Sequence, residues 1–123
     1  MRHHHVNLGV TPGDLAEEQA FLVDMLGYAK LAQPEELAAQ GIGVNWFEGT
    51  DGSQIHLSED PDHHAPARAH VAVEFDRADL EEVEGRLRSG GSEYSGFDDR
   101  PGFPKVLQVR DPAGNLWELR AAV

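Results

Sequence analysis

One pattern occurs twice in this chain, and that duplication constrains its fold more than any other feature. His5 to Val10 alternates Val6, Leu8 and Val10 with His5, Asn7 and Gly9, the period of a strand with one apolar face. His70 to Phe75 repeats the arrangement, with Val71, Val73 and Phe75 set against His70, Ala72 and Glu74. The two leading histidines stand 65 residues apart, as do Asp14 and Asp79, each followed three residues later by a glutamate in the form of a capping box. Helical spacing then follows in both halves. Leu15, Phe21, Leu22, Met25 and Leu26 mark a first helix that stops at Gly27, and Leu80, Val83 and Leu87 mark a second that stops near Gly90 and Gly91.

The remainder of each half reads as further strands. Ile42 to Glu48 and Ser53 to Ser58 flank Gly49-Thr50-Asp51-Gly52, residues that tolerate turn dihedrals. Lys105 to Arg110 and Leu116 to Ala121 flank Asp111-Pro112-Ala113-Gly114-Asn115, where proline fixes one dihedral and Gly114 and Asn115 accept positive ones. Residues 28 to 41 leave two readings open: Tyr28 to Leu31 suits a short strand, and Pro34 to Ala39 suits either a helical turn or a loop. Two prolines and a run of polar residues make Glu59 to Ala67 a linker. The expected fold is α+β, one domain over residues 1–123 built from two β-α-β-β-β modules, at about 1–60 and 68–123, joined by that linker. Each sheet would be covered by its helix on one face and open on the other.

Composition narrows the chemistry. A formal net charge of −12 repels phosphate backbones and anionic lipid surfaces, so neither nucleic acid nor membrane is an expected partner. Without cysteine there is no disulfide framework, thiolate metal site or thiol nucleophile, and any metal must be held by nitrogen and oxygen. No apolar run approaches the roughly 20 residues that span a bilayer, and the amino terminus carries no signal-like pattern, so a cytoplasmic location is expected. Phosphate-binding glycine loops and the Gly-x-Ser-x-Gly elbow of serine hydrolases are both absent, and His3-x-His5 lacks the nearby glutamate of a double-stranded barrel metal site.

Strand parity tests whether the polar groups converge, because side chains two apart share a face. If Ile55 and Leu57 point to the core, then Gln54, His56 and Ser58 point away from it. If Trp117, Leu119 and Ala121 point to the core, then Leu116, Glu118 and Arg120 point away. His5, His56, His70 and Glu118 thereby all lie opposite an apolar stripe, and three imidazoles with one carboxylate suit a divalent first-row cation, with bonds of about 2.0 to 2.2 Å if it is zinc. Simpler readings stand beside these. His3 to His5 suit a partial tag or frayed terminus, His56 a hydrogen-bonded histidine without metal, and Glu118 a solvated strand residue. His63 and His64 read as solvated linker residues, and Glu17-Glu18 and Glu81-Glu82 as exposed helix faces.

His5-Val6-Asn7-Leu8-Gly9-Val10, Gln54-Ile55-His56-Leu57, His70-Val71-Ala72-Val73 and Asp111-Pro112-Ala113-Gly114-Asn115-Leu116-Trp117-Glu118-Leu119 together resemble the vicinal oxygen chelate superfamily, nearly end to end. That superfamily includes glyoxalase I, fosfomycin-resistance transferases, methylmalonyl-CoA epimerase, extradiol dioxygenases and bleomycin-resistance proteins. The resemblance implies half-barrel sheets around a central cavity and assigns metal-ligand roles to His5, His56, His70 and Glu118, with His56 at a position that varies among members. It implies a divalent ion (Zn, Ni, Mn, Fe or Co), a small oxygen-rich substrate and a homodimer. It also places a substrate contact near Gln108.

The leading expectation is a metal-dependent enzyme of glyoxalase type, a lyase or isomerase, whose substrate chelates the cation through adjacent oxygens. His56 or Glu118 would move the proton, with Glu74 as a further candidate base, and Asn7, Gln108 and Trp46 would contact substrate. Two alternatives accompany it. With iron held by His5, His70 and Glu118 alone, the set becomes the facial triad of oxygenases. A bleomycin-resistance-type protein would instead sequester a ligand without chemistry, using the acidic surface for a cation and Trp46, Phe47 and Trp117 as an apolar platform or core.

Overall fold

A computed structural model describes residues 1–123, which divide into two compact units, Met1–His64 and Ala65–Val123. In the first unit, β1 (His5–Val10) leads through a helical segment to β2 (Ala29–Lys30), α2 (Glu35–Ala39), β3 (Asn45–Glu48) and β4 (Gln54–Glu59). That helical segment opens as a 3-10 turn over Pro12–Asp14, continues as α1 (Leu15–Ala20) and widens to a π-helical turn over Phe21–Met25. In the second unit, β5 (His70–Phe75) leads to α3 (Arg77–Ser89), β6 (Tyr94–Phe97), β7 (Val106–Arg110) and β8 (Leu116–Ala121). The sheets have the same order, β1-β4-β3-β2 and β5-β8-β7-β6. In each, the first strand pairs in parallel with the last and the remaining pairs are antiparallel. The expected pair of β-α-β-β-β modules is therefore the observed architecture.

Parity decides what each sheet buries. In the first unit Ile55, Leu57, Phe47 and Val10 are buried with Phe21, Leu22, Leu26 and Tyr28 of the helical side. In the second, Leu107, Val109, Trp117, Leu119 and Ala121 are buried with Leu80, Val83 and Leu87, the apolar face of α3. Trp117 and Phe47 are fully enclosed core residues, which removes them from any ligand platform and leaves only Trp46 on the opposite face.

Several local expectations are corrected. Neither capping box forms: Asp14 and Asp79 make no side-chain cap, because both helical segments begin three residues earlier, after Thr11 and Asp76. Pro12 opens the first of these turns, a position suited to its fixed φ and missing N–H. Thr11 Oγ1 instead donates to Asp14 Oδ2 at 2.8 Å. The true starts still lie 65 residues apart, so the repeat survives the correction. Glu18 is fully buried rather than exposed, since it lies on the helix face shared by Leu15 and Leu22. No non-glycine residue has positive φ, so Asn115 does not take the turn dihedral expected of it; Gly114 does, at +86°. The β3 and β4 strands run over Asn45–Glu48 and Gln54–Glu59, and β7 begins at Val106. The open stretch at 28–41 holds both a two-residue strand and a short helix.

The turn between β7 and β8 sets the register that carries Glu118. Asp111 and Asn115 are both buried, and the Asp111 carboxylate accepts the Asn115 backbone N–H at 2.8 Å and the Trp117 Nε1–H at 2.9 Å. Asp111 N–H donates to Asn115 C=O at 2.9 Å and Gly114 N–H to Asp111 C=O at 2.9 Å, closing the turn. A buried carboxylate that satisfies two buried donors leaves both orphaned when removed. Asp111→Ala is expected to lower unfolding stability by about 2–4 kcal/mol in denaturant titration; a loss below roughly 0.5 kcal/mol would show that the turn holds without it.

Candidate functional site

The face of the first sheet opposite its helix carries His5, Asn7 and Gly9 from β1, Gln54, His56 and Ser58 from β4, and Trp46 and Glu48 from β3. Three rings form a stack there. The His5 and His56 ring centroids are 3.8 Å apart with planes 11° from parallel, and Trp46 lies on His56 at 4.7 Å and 16°. Register accounts for the Trp46 half of the stack, since Trp46 is directly opposite His56 on the neighbouring strand; on the other side Asn7 is the partner of His56, and the His5 ring, whose own partner is Gln54, reaches His56 diagonally. Asn7 is held by Ser58, whose Oγ donates to Asn7 Oδ1 at 2.9 Å.

Hydrogen bonding assigns the free lone pair of two histidines. His56 Nε2 lies 2.9 Å from Gln54 Oε1, an acceptor, so Nε2 carries the proton and Nδ1 the lone pair of the neutral ring. Burial, followed by the neighbouring His5 and His4, pushes the His56 pKa below its usual value and favours that neutral form. His70 Nδ1 donates to the Arg68 carbonyl at 2.9 Å, which leaves Nε2 as the lone-pair nitrogen. In both cases the orienting acceptor lies two residues before the histidine, a side chain of the same strand for His56 and a backbone carbonyl just before the strand for His70. His5 Nδ1 shares a hydrogen bond of 2.9 Å with His4 Nδ1.

The open face of the second sheet carries His70, Ala72 and Glu74 from β5, Glu118 and Arg120 from β8, Gln108 from β7 and Ser95 and Phe97 from β6. Ala72, Glu118, Gln108 and Ser95 form one cross-strand row, and Glu74, Arg120, Val106 and Phe97 form the next. Gln108 is thus the direct neighbour of Glu118. Glu118 is half-buried, and Arg120 Nη1 stands 3.6 Å from its Oε2. Glu74 is exposed and makes no ion pair with Arg120 across the strands.

The structure brings His5, His56, Asn7 and Trp46 together on the first open face, and His70, Glu118, Glu74 and Gln108 together on the second. Neither unit alone gathers three His, Asp or Glu side chains into a group able to hold a metal ion. The donors nonetheless suit one chemically: a neutral imidazole with a fixed tautomer and a carboxylate are ordinary ligands of divalent first-row cations. The stack adds a restriction. A ligating imidazole holds the ion near its own ring plane, about 2.0 to 2.1 Å from nitrogen, so two parallel stacked rings cannot both bind one ion. His5 and His56 act together as ligands only if one ring leaves the stack.

Sequence reasoning missed two residues. His63 is half-buried rather than solvated: its ring packs over Gly9 on the open face, and a Cβ at position 9 would collide with it. Its Nε2 is shielded and has no hydrogen-bond partner. The signal was the glycine at a strand position that parity assigns to the open face, which marks the close approach of another group. Arg120 was placed on its face by the same parity and given no role.

The model of the Glyoxalase/Bleomycin resistance protein/Dioxygenase superfamily matches residues 2–119. The chain belongs to this superfamily. Among solved structures it is similar to a glyoxalase family protein from Bacillus anthracis, with TM-score 0.81 and 26% identity over 100% of this chain and 96% of that one. It is also similar to a glyoxalase/dioxygenase from Nostoc punctiforme, with TM-score 0.77 and 23% identity over 99% and 91% of the two chains. A third is the genomically encoded fosfomycin resistance protein FosX from Listeria monocytogenes, a mutant of which was crystallised with Mn(II) and a dihydroxypropylphosphonic acid; here TM-score is 0.79 and identity 19%, over 100% and 92%. No curated protein matches the chain. No helix of this superfamily member is long and apolar enough to cross a membrane.

Because Gly9 leaves the space that the His63 ring fills, Gly9→Ala is expected to expel that ring. The readout is the His63 imidazole resonance in NMR, which should move to a solvent-exposed position, with a stability loss of about 1–2 kcal/mol. An unshifted His63 signal in a folded variant would show that the ring does not sit over the strand.

Proposed function

We propose that this superfamily member is a metal-dependent enzyme that acts on a small molecule with adjacent oxygens, with His5, His70 and Glu118 as the ligands of a divalent cation. One observation carries the reading: in both modules the first and last strands present donor side chains on the face turned away from the helix, His5 and His56 in one and His70 and Glu118 in the other. Bound there, the cation supplies Lewis acidity to the substrate oxygens. The protein supplies the rest. His56, the fourth candidate ligand, keeps its place between His5 and Trp46 in this reading; its neutral ring offers the Nδ1 lone pair as proton acceptor, and Gln54 fixes that tautomer. Asn7, Gln108 and Glu74 face the same open surfaces and contact substrate. A reaction of lyase or isomerase type, in which a proton is moved beside a chelated oxygen, uses these groups most fully. Sequestration without turnover is the competing reading, and the exposed part of Trp46 is the observation that favours it.

Titration of tag-free protein with Mn(II) or Co(II) tests the ligand set. Wild type is expected to bind one ion per chain, and His70→Ala and Glu118→Ala to lose affinity by roughly 100-fold or more. Affinity unchanged in both variants would overturn the reading. His56→Ala is expected to retain most of the affinity and lose turnover.

A homodimer with two equivalent sites forms part of the proposal. Sedimentation equilibrium at micromolar concentration is expected to give twice the chain mass of 13.5 kDa; a stable monomer would remove that part.

A further inference from the structure

Arg120 is the arginine of the second open face that donates no hydrogen bond within the protein. Its guanidinium has five N–H groups, and its side chain makes no hydrogen bond to any acceptor. Nε is shielded from solvent and has no partner, and the nearest anion, Glu118 Oε2, is 3.6 Å from Nη1, an ion pair longer than a hydrogen bond. Arg110, on the same face, is the contrast: its Nη1 donates to the Gly114 carbonyl at 2.9 Å and its Nη2 to the Ala67 carbonyl at 3.1 Å, so it is committed to the turn. Glu74, directly across the strand from Arg120, does not pair with it. The side chain is 38% exposed, so the terminal Nη groups, which donate no hydrogen bond within the protein, are the donors that a ligand oxygen can reach.

We propose that Arg120 is the receptor for an anionic oxygen group of the substrate, a carboxylate or a phosphate-like group. The proposal rests on the chelation reading only for what the rest of the substrate does: Glu118 would mark the metal-binding end, and Arg120, two residues along the same strand face, would hold the charged end. The planar fork matches a carboxylate or phosphoryl group with two parallel hydrogen bonds and so fixes orientation as well as charge. The chain's surplus of acid gives an anion no long-range attraction, so its binding must come from this local group. The alternative use of Arg120 is as a brace that holds the Glu118 carboxylate.

The test uses acetate and inorganic phosphate as anionic probes and ethylene glycol as a neutral one, in metal-free protein, with the arginine Nε–H resonances followed by NMR. Saturable shifts of the Arg120 resonance with at least one anion, and none with the glycol, are expected; acetate as the tighter probe assigns a carboxylate and phosphate as the tighter one assigns a phosphate-like group. Arg120→Met should weaken anion binding at least tenfold and Arg120→Lys less, whereas Arg88→Met, which removes an equal charge from α3, should leave it unchanged. Anion binding unaltered in Arg120→Met, or absent from wild type, overturns the proposal. Mn(II) titration of the same variants separates the two readings. A drop in Mn(II) affinity in Arg120→Met with intact anion binding makes the residue a brace and overturns the receptor role. Anion binding that depends on Arg120 in a protein that fails to take up Mn(II) upholds the receptor and sinks the chelation reading instead.

Discussion

Parallel pairing of the first strand with the last, made once in each module, is the constraint from which the rest of the molecule follows. It fixes His56 beside Asn7 and Glu118 beside Ala72, and because partners in register share a face, it decides which side chains stand away from the helix. A slip of one residue in β8 would bury Glu118 and expose Trp117 and Leu119. The buried Asp111 carboxylate guards against that slip by holding the turn before β8 and the Trp117 indole together. Stability and site geometry are therefore set by the same few hydrogen bonds.

The duplication was legible because it is written in two independent periods, the alternation of strands and the spacing of helix starts. Parity alone placed His5, His56, His70, Glu118 and Arg120 correctly, since a buried alternate stripe leaves its neighbours no other direction. The helix caps were not legible. Asp14 and Asp79 fit the cap pattern, but a turn opened by Pro12 and a start after Asp76 place them inside the helical segments, and tertiary context overrode local chemistry. The strand β6 over Tyr94–Phe97 gave no signal of its own, because an edge strand with Gly96 and exposed Phe97 lacks an apolar stripe; only the plan of the first module required it.

Ring orientation lies beyond sequence altogether. That His5 and His56 occupy one face follows from parity, but their parallel stacking, with Trp46 continuing it, depends on rotamers that spacing does not specify. The stack limits the chemistry: two parallel rings cannot both bind one ion, and the Gln54 contact leaves the lone pair of the neutral His56 ring on Nδ1. His63 is similar. A linker composition suggested a solvated ring, yet the gap above Gly9 admits it. Small residues on a functional face say as much about what fills the space as large ones do.

The central claim is that donors from both halves of the duplication serve one cation. Crystals loaded with Mn(II) and measured for anomalous scattering address it directly. The account predicts one strong peak per chain within bonding distance of a His5 nitrogen, His70 Nε2 and a Glu118 oxygen, whether these come from one chain or two. A peak bound by residues of one half alone, or by the His3 to His5 tail, would contradict it.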